Sequence, residues 1–466
     1  MSLDLYKNIY LIGIGGIGMS ALARYFNARG CLVYGYDKLE SDLCKELENE
    51  GINIHYSDLV NDMPEQIRNT ESNNILVIYT PAIPIENKIF SYFIEKRFNV
   101  YKRSEVLGMI SRKLFTIAVA GTHGKTTTST ILAHILQNSG KEITAFLGGI
   151  SRNYNTNLLL ADKANILIIE ADEYDRSFLE LEPDIAIITS VDADHLDVYN
   201  NKDDLHQAFI QFASQIKQNG LLLVEDSIDI DLPKPEGGVK STYSANNKAD
   251  YFARNVKIND GRMLFDMIVL DSMKGIPYER KQVNLDLRLP GIHNVSNSLA
   301  ASAVSIYLGL SYNNIAQGLS TFKGIVRRFD KHIETKELVY IDDYAHHPNE
   351  VSATITAAKQ LYPSREITVV FQPHLYTRTQ QFASEFALSL SKADNLVLLD
   401  IYPAREEPII DVNSEMLLDL CNSPKQEVCS KQELLSVLRC KDIDVLLTLG
   451  AGDIGDLVEP IKHMLN

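Results

Sequence analysis

The sequence has little cysteine, a deficit of positive charge and no long apolar run. Its 5 cysteines include no C-x-x-C pair, and such a sparse, odd set fits a reducing cytosol better than a disulfide framework. Acidic residues (61) outnumber basic ones (45), and the net charge of −16 disfavours nonspecific binding to nucleic acid or anionic membranes. No apolar run approaches the ~18 residues of a membrane span. We therefore expect a cytoplasmic protein with neither a nucleic-acid nor a membrane partner.

Predicted strands and helices alternate along almost the whole chain, which is typical of α/β folds with parallel sheets. Three domains are expected: a Rossmann-like N-terminal domain over 1–108, a central P-loop-type ATP-binding domain with a mainly parallel sheet over 109–324, and a Rossmann-like α/β C-terminal domain over 325–466. Segments around 251–257, 263–270 and 283–289 have the pattern of antiparallel strands within the central domain.

One glycine loop carries most of the functional information. It follows the apolar strand pattern of 115–119, precedes a helical pattern, and consists of Gly121, Thr122, His123, Gly124, Lys125, Thr126 and Thr127. A strand, a glycine loop and Gly-Lys-Thr at a helix start form a phosphate-binding device, so we expect a nucleoside triphosphate here. Val119 stands where the strict Walker pattern has its first glycine, and this shorter loop argues against common GTPases and motors. The alternative is a glycine-rich turn without a ligand.

Acidic residues follow two further strand patterns. Glu170 and Glu173 come directly after the strand pattern ending at 169, where a carboxylate beside a phosphate loop can hold magnesium. Three aspartates and His195 lie within 192–197, which is also a composition suited to a metal site. The alternatives are solvated turn acids and a hydrogen-bonding loop histidine.

A second glycine loop lies near the N-terminus. Gly13, Gly15 and Gly18 satisfy G-x-G-x-x-G, and Asp37 ends the next strand pattern. Alone, this pattern predicts a dinucleotide site and hence an oxidoreductase. Any pyrophosphate ligand, including a UDP-sugar, could approach the backbone of such a loop in the same way. A tight turn without a ligand also fits the pattern.

The third domain carries three polar clusters near strand ends. They are Arg327-Arg328, the segment 342–348 with two aspartates, Tyr344 and two histidines, and the segment 374–378 with His374 and Arg378. Arginines suit phosphates and carboxylates through paired hydrogen bonds. Any one cluster alone could be a surface feature, but two of them follow strands and could converge on one sheet edge.

Together these motifs resemble those of the Mur ligase family of peptidoglycan synthesis over essentially the whole chain. The family-wide marker is the short loop at 121–126. The other matching segments are the loop at 13–18 followed by Met19, then 170–173, Asp194-His195, 289–294, 344–347 and 371–374.

The resemblance implies an ATP- and Mg²⁺-dependent ligase in peptidoglycan precursor synthesis. Its alanine-adding branch joins L-alanine to the lactyl carboxylate of UDP-N-acetylmuramic acid through an acyl phosphate. The first glycine loop then holds UDP rather than a dinucleotide. We expect a monomer or a weak homodimer.

The resemblance also implies a role for individual residues. Catalytic roles fall to Lys125, His195, Arg328 and His346. ATP binding falls to the loop 121–127, to Asn294 at the adenine and to Asp343 at the ribose. UDP-substrate binding falls to Gly13, Gly15, Gly16, Gly18, Asp37 and Thr80. Alanine binding falls to Tyr344, His374 and Arg378. Metal binding falls to Thr126, Glu170 and His195, with Glu173 in reserve.

Two parts of the sequence help to indicate which branch of the family the chain resembles. Leu375 stands where many members carry arginine, which leaves one substrate-side charge unaccounted for. The helix pattern around 209–212 offers no lysine of the kind that several sister ligases carbamylate. Two rival functions stay open: a sister ligase that attaches a recycled peptide to the same sugar nucleotide, and a P-loop nucleotide switch.

Overall fold

The computed structural model describes residues 3–192, 198–199, 201–259, 261–273, 276–404 and 406–466. The chain divides into two compact units. The first comprises Met1–Phe252, Ile268–Arg280 and Asn297–Gly318, and the second comprises Ala253–Met267, Lys281–Ser296 and Leu319–Asn466.

The chain begins with a five-stranded parallel sheet. Its strands are β1 (Asn8–Ile12), β2 (Leu32–Tyr36), β3 (Asn53–His55), β4 (Ile75–Tyr79) and β5 (Asn99–Lys102), in the order β3-β2-β1-β4-β5. Its helices are α1 (Ile17–Ala28), α2 (Asp42–Asn49), α3 (Glu65–Arg68), α4 (Lys88–Glu95) and α5 (Arg103–Ser111). The strand order reverses between β1 and β4, which opens a crevice at their carboxyl ends where ligands of doubly wound folds bind. The expected Rossmann-like architecture is therefore confirmed.

The second sheet has ten strands in the order β15-β14-β13-β12-β11-β10-β6-β9-β7-β8. In chain order they are β6 (Phe115–Ala120), β7 (Ile143–Ser151), β8 (Thr156–Leu160), β9 (Ile166–Glu170), β10 (Ile185–Ile188), β11 (Leu221–Glu225), β12 (Val239–Ser244), β13 (Tyr251–Asn259), β14 (Arg262–Met273) and β15 (Ile276–Leu287). Its helices are α6 (Lys125–Asn138), α7 (Lys202–Ser214), α8 (Ile292–Tyr307) and α9 (Tyr312–Thr321). The last three strands overlap the three segments expected to be strands, and the third of them ends at Leu287 rather than at 289.

Strand β6 lies between β9 and β10 and is parallel to both. It is buried from Thr116 to Ala120, and β10 is buried along its whole length. Both strands are therefore covered on both faces, which explains why their sequences are continuous apolar runs rather than alternating ones. The loops that follow β6, β9 and β10 leave from the same edge of the sheet, so the candidate site residues meet there.

The third sheet forms the core of the second unit. Its strands are β16 (Asp330–Glu334), β17 (Val339–Asp343), β18 (Ile367–Phe371), β19 (Asn395–Leu398), β20 (Lys425–Val428) and β21 (Val445–Leu449), in the order β16-β17-β21-β18-β19-β20. Its helices are α10 (Pro348–Leu361), α11 (Tyr376–Gln381), α12 (Ala383–Leu390), α13 (Ser414–Leu420), α14 (Leu434–Arg439) and α15 (Val458–Leu465). All strand pairs are parallel except β16 with β17. A second Rossmann-like α/β sheet was expected and is confirmed.

Five short 3₁₀ helices complete the described elements: Leu3–Leu5, Val60–Asp62, Ser72–Asn74, Tyr174–Glu180 and Asp453–Leu457. Among the described residues, no helix is both long enough and apolar enough to cross a bilayer.

Candidate active site

The phosphate loop is shaped by two glycines with left-handed backbone angles. Gly121 has φ = 135°, and a Cβ there would lie 2.1 Å from the Thr189 hydroxyl. Gly124 has φ = 82°, and a Cβ there would lie 2.6 Å from the side-chain oxygen of Asn297. Gly124 is also the N-cap of α6, so no side chain occupies the positive end of this helix. The loop is thus a close-fitting backbone turn that leaves backbone N–H groups available to an anion.

Hydroxyl groups after β10 hold the loop from the other side. The His123 backbone N–H donates to Ser190 Oγ at 2.7 Å, and Ser190 Oγ lies 2.9 Å from Thr122 Oγ1. The Thr189 hydroxyl donates to the carbonyl of Ala120 at 3.1 Å and to that of His123 at 2.5 Å. Thr189 and Ser190, which follow β10, therefore position the loop, although neither residue belongs to the sequence motif.

Lys125 is held by a buried carboxylate. Its Nζ lies 2.6 and 2.9 Å from the two oxygens of Glu173, whose side chain is fully buried, and the Tyr199 hydroxyl donates to the Glu173 carbonyl. Burial lowers the pKa of the Lys125 ammonium, but the carboxylates of Glu173, Asp172 and Glu170 outweigh burial and raise that pKa above its ordinary value. The lysine therefore stays charged, and Glu173 is its partner in the chain without nucleotide.

Thr126 and Glu170 provide oxygen ligands suited to magnesium. Thr126 is buried in the first turn of α6, and Glu170 ends β9, which pairs with β6 at Val119. The Glu170 carboxylate lies against Gly148, where a Cβ would come within 2.0 Å of Oε2, so only glycine leaves room for it. Mg²⁺ prefers oxygen ligands and usually takes only one or two from protein, with the rest from phosphate and water. The donor set therefore fits Mg²⁺.

The third metal ligand expected from the sequence, His195, lies outside the described residues. Among the residues that are described, no group of three histidine, cysteine or acidic side chains is arranged to hold a metal ion.

The first glycine loop is ordered by Asp37. The Gly15 N–H donates to Asp37 Oδ2 at 2.8 Å, and the Leu39 N–H donates to Oδ1 at 3.2 Å. A Cβ at Gly13 would lie 2.7 Å from Thr80 Cγ2. The residues expected to bind the UDP substrate thus meet at the crevice between β1 and β4, and Asp37 supports the loop backbone.

A pocket of about 250 Å³ in the first unit lies between the first glycine loop and residues of β7 and β9. Gly16, Gly18 and Thr80 line it on the side of the first sheet, and Gly148 and Glu170 line it on the side of the second. A ligand anchored at the first loop would therefore reach the carboxylate beside the phosphate loop.

Arg103 and Asp172 also line this pocket, and we did not predict either role from the sequence. Arg103 Nη2 lies 3.5 Å from Asp172 Oδ2, and a Cβ at Gly18 would meet Arg103 Nη1 at 2.5 Å. Arg103 begins α5, where helices ordinarily favour acidic residues. A basic residue at the start of a predicted helix was therefore the feature of the sequence that could have indicated a role for Arg103.

In the second unit, the two consecutive arginines flank Tyr344. Their guanidinium carbons lie 5.3 Å (Arg327) and 5.2 Å (Arg328) from the centre of the tyrosine ring. Arg327 also donates to Asp342 Oδ2 at 3.0 Å and to the Gly450 carbonyl at 2.6 Å. Arg328 is 3.9 Å from Glu350. Arg327 is therefore tied into the fold, while Arg328 makes the longer ion pair.

The two histidines predicted to surround the amino acid lie next to each other. The His346 and His374 rings meet edge to face at 5.9 Å, and His374 stacks on Tyr402 at 5.7 Å. Arg378, which is 8% exposed, approaches His374 Nδ1 at 3.4 Å. His346 Nδ1 lies 3.0 Å from the Tyr344 carbonyl. The sequence analysis missed Tyr402, which follows β19 from a different part of the chain.

The carboxylate of Asp343 is hydrogen-bonded to the protein backbone. Its two carboxylate oxygens accept hydrogen bonds from the N–H groups of Phe329 and Ala345, both at 2.8 Å. Burial raises the pKa of the Asp343 carboxyl to about 6, against the opposing effects of Arg328 and the two backbone donors. Asn294, expected at the adenine, is buried and donates to the Pro290 carbonyl at 2.7 Å.

Comparison with known proteins places the chain in a family. Three family models match in sequence: the Mur ligase family catalytic domain at 8–114, the Mur ligase middle domain at 119–305 and the Mur ligase glutamate ligase domain at 327–452. A UDP-N-acetylmuramate–L-alanine ligase of Flavobacterium johnsoniae is 47% identical, with 100% of this chain and 99% of that protein covered. The chain belongs to the Mur ligase family.

Solved Mur ligases have the same architecture. A UDP-N-acetylmuramate–alanine ligase from Thermotoga maritima superposes with a TM-score of 0.82 at 28% identity, with 98% of this chain and 99% of that one covered. A murein peptide ligase from Psychrobacter arcticus gives a TM-score of 0.71 at 22% identity, with 98% of each chain covered, which speaks for the fold alone.

Leu375 has backbone angles that are unusual for any residue with a side chain. Its φ is 70° and its ψ is 136°, and it lies between His374 and the first turn of α11. Such a conformation costs of order 1–3 kcal/mol and is found mostly at functional sites. The residues on the two sides of this turn approach each other, with Arg378 Nη1 3.4 Å from His374 Nδ1.

Proposed function

We propose that the chain joins L-alanine to the lactyl carboxylate of UDP-N-acetylmuramic acid, with ATP as the energy source, in cytoplasmic peptidoglycan precursor synthesis. The observation that carries the proposal is the pocket lined by Gly16 and Gly18 of the first glycine loop and by Glu170, whose strand β9 pairs with the strand before the phosphate loop. A UDP-linked carboxylate and an ATP phosphate could meet there. The printed name of the Flavobacterium johnsoniae relative supports this choice of substrates.

The proposed reaction has two steps. A carboxylate oxygen attacks the γ-phosphorus, the bond from that phosphorus to ADP breaks, and an acyl phosphate forms. The uncharged amine of L-alanine then attacks the acyl carbon, loses a proton, and inorganic phosphate leaves. Phosphorylation is needed because a carboxylate is a poor acyl donor and phosphate is a good leaving group.

Lys125 would lower the barrier to the first step, in which two anions approach each other. Its ammonium stays charged and is held within 2.9 Å of both Glu173 oxygens. ATP phosphates would draw the lysine from Glu173, and the positive end of α6 with the loop N–H groups would hold the remaining oxygens. We assign Gly121, Thr122, His123, Gly124, Lys125, Thr126 and Thr127 to this role.

Thr126 and Glu170 would hold Mg²⁺, with His195 as a further proposed ligand. The ion supplies positive charge against the phosphates when bound. The role of the chain is to place one hydroxyl in the first turn of α6 and one carboxylate at the end of β9, the strand that pairs with β6.

The second unit would bind the amino acid. Arg378 suits the alanine carboxylate, and His374 and Tyr344 would flank it. His346 is our candidate for accepting the amine proton, because its ring lies beside His374 and its Nδ1 is 3.0 Å from the Tyr344 carbonyl. Arg328 is proposed at phosphate, Asn294 at adenine and Asp343 at the ribose.

We further propose three domains at 1–108, 109–324 and 325–466. Of the stretches that match the three family models, the first ends at 114, six residues past the proposed boundary at 108, and the third begins at 327, two residues past the proposed start at 325.

Inorganic phosphate release tests the proposal. ATP and Mg²⁺ would be supplied with UDP-N-acetylmuramic acid and L-alanine, singly and together. We expect release only with both, and a product heavier by one alanyl residue. Release with a recycled tripeptide instead of alanine would indicate the sister ligase, and release indifferent to the UDP-sugar would indicate a nucleotide switch.

A further inference from the structure

A second cavity lies in the first unit, away from the pocket described above. Its volume is about 490 Å³, and it is formed by the N-terminal segment before β1, the end of α1 and the end of α5. It shares no lining residue with the glycine-loop pocket. On α1 the nearest lining residues of the two cavities are Ala21 and Tyr25, which are four residues and therefore roughly 6 Å apart along the helix axis.

The walls of this cavity are aromatic and buried. Tyr6, Tyr25 and Phe26 are 4%, 5% and 2% exposed. The Arg29 guanidinium lies 4.4 Å from the centre of the Tyr25 ring. A guanidinium stacked on a ring in this way can still direct N–H groups from its edge toward an anion. The walls therefore favour a flat apolar body with a charged group at its edge.

The rim is positive. Lys7, Arg29 and Lys113 line the cavity, and no acidic residue is among the described lining residues, although the whole chain carries a net charge of −16. Arg29 and Lys113 follow the ends of two helices, where a cation is favourable in any case. Lys7 precedes β1, so the negative end of a helix does not account for a cation at this position.

We propose that this cavity is a second ligand site, which takes a small planar organic anion. Its volume lies within the range of small-molecule sites, about 300–1,000 Å³, and is too small for a macromolecule. The ligand would stack between the aromatic walls and place its anionic group at Lys7, Arg29 and Lys113.

The site is connected to the substrate pocket by two helices. Both α1 and α5 begin at the glycine-loop pocket, with Gly16–Met19 and Arg103, and end at the second cavity, with Arg29 and Lys113 nearby. A ligand that shifts these helix ends would change the affinity for the UDP moiety, and UDP would change the affinity for the ligand by the same factor. This coupling rests on the proposed role of the glycine loop, whereas ligand binding itself does not.

The probe for the site is 8-anilinonaphthalene-1-sulfonate, an aromatic sulfonate with a planar naphthalene ring, whose fluorescence rises in apolar surroundings. We expect one saturable site on the full chain, weakened about tenfold in Lys7→Gln/Lys113→Gln because two charged contacts are lost. The matched control is Lys248→Gln/Lys336→Gln, which removes the same charge from two exposed lysines elsewhere and should bind as the unmodified chain does. Equal affinity in all three proteins, or equal loss in both variants, would overturn the proposal.

Alkylation of Cys31 locates the probe independently of the lysine variants. Cys31 lines the cavity, and its thiol lies 3.6 Å from the Tyr6 carbonyl. In a Cys440→Ser background, which removes the exposed thiol, iodoacetamide labelling of the Cys31 peptide would be followed by mass spectrometry. We expect saturating probe to slow labelling at least about fivefold, and an unchanged rate would place the probe elsewhere and refute the site.

Equilibrium dialysis of UDP with and without the probe tests the coupling. A change of about fivefold in UDP affinity is expected, within the usual range of coupling between sites. Unchanged UDP affinity with the probe bound would refute the coupling and leave the anion site standing. Absence of UDP binding in either condition would instead count against the proposed role of the glycine loop.

Discussion

The phosphate loop of the first unit and the histidine cluster of the second are built in opposite ways. The loop is one continuous segment, 121–126, whose ligand groups are backbone N–H groups and a single lysine. The cluster assembles His346, His374, Arg378 and Tyr402 from separate segments that follow three strands. A backbone site is therefore visible in contiguous sequence, whereas a side-chain site depends on which strands the fold brings together.

The two regions also differ in how their charges are neutralised. In the first unit, Lys125 and Glu173 form a buried pair that a ligand would have to replace. In the second unit, Asp342 accepts from Arg327 and Asp343 accepts from two backbone N–H groups, so both acids stabilise the fold around the proposed site. A change in the first region should act mainly on chemistry, and a change to these acids should act mainly on stability.

The largest effect is expected for Lys125→Met. Loss of the one charged contact to the phosphates should lower phosphate release at least about 10²–10³-fold. It also leaves Glu173 buried without its cation, which costs about 3–5 kcal/mol of stability. Steady-state kinetics and thermal unfolding would measure the two effects, and UDP binding should be retained because it depends on the other glycine loop.

The double variant Lys125→Met/Glu173→Gln separates these two effects. It should recover most of the lost unfolding temperature, because the uncompensated charge is gone, and recover none of the activity. Recovery of both would mean that the lysine acts only through folding.

The next largest effect is the pH dependence caused by Asp343. Its folded-state pKa of about 6 lies above the ordinary 3.8, so between these values the folded chain holds a proton that the unfolded chain has lost. The resulting stabilisation is complete below pH ~4 and disappears as the pH rises through ~6, which amounts to about 3 kcal/mol.

Asp343→Asn has no such proton, so the stability advantage of the original chain over this variant should shrink by that amount between pH 4 and pH 7. Amide hydrogen exchange of the peptides covering β16 and β17 measures this locally, and comparison at each pH cancels the intrinsic exchange rate. A difference that is constant with pH would show that the carboxyl titrates normally.

A smaller effect is expected for Arg378→Lys. Lysine keeps the charge but loses the paired N–H geometry, so the KM for L-alanine should rise about tenfold while the KM for ATP stays unchanged. Arg439→Lys, at the exposed end of α14, is the matched control and should leave both constants unaltered. An equal rise in the KM for ATP would contradict a specific contact between Arg378 and the amino acid.

The smallest effect is expected for Ser190→Ala. The variant removes the acceptor of the His123 N–H and loosens one side of the phosphate loop. At about 1 kcal/mol for the lost hydrogen bond, the KM for ATP should rise roughly fivefold, with UDP affinity unchanged. An ATP constant within twofold of the original would indicate that the glycines alone define the loop.

Although β7 and β8 were not predicted, the sequence did predict the α/β class and several strands, such as the run 115–119, which the structure extends to Ala120. It did so because the buried parallel strands are continuous apolar runs, and because the glycines with positive φ mark the turns that follow them. It could not predict that Glu173 pairs with Lys125, since the choice between Glu170 and Glu173 depends on which side chain turns toward α6. Arg103 and Tyr402 were missed because no local motif surrounds them.

The central claim is that the UDP-linked carboxylate takes the γ-phosphoryl group before L-alanine attacks. It is tested most directly with UDP-N-acetylmuramic acid carrying ¹⁸O in the lactyl carboxylate, followed by mass analysis of the phosphate released during turnover with ATP and L-alanine. The acyl-phosphate route predicts that each phosphate carries one ¹⁸O atom from the substrate. Phosphate without the label would mean that water, not the carboxylate, attacks ATP, and would contradict the account.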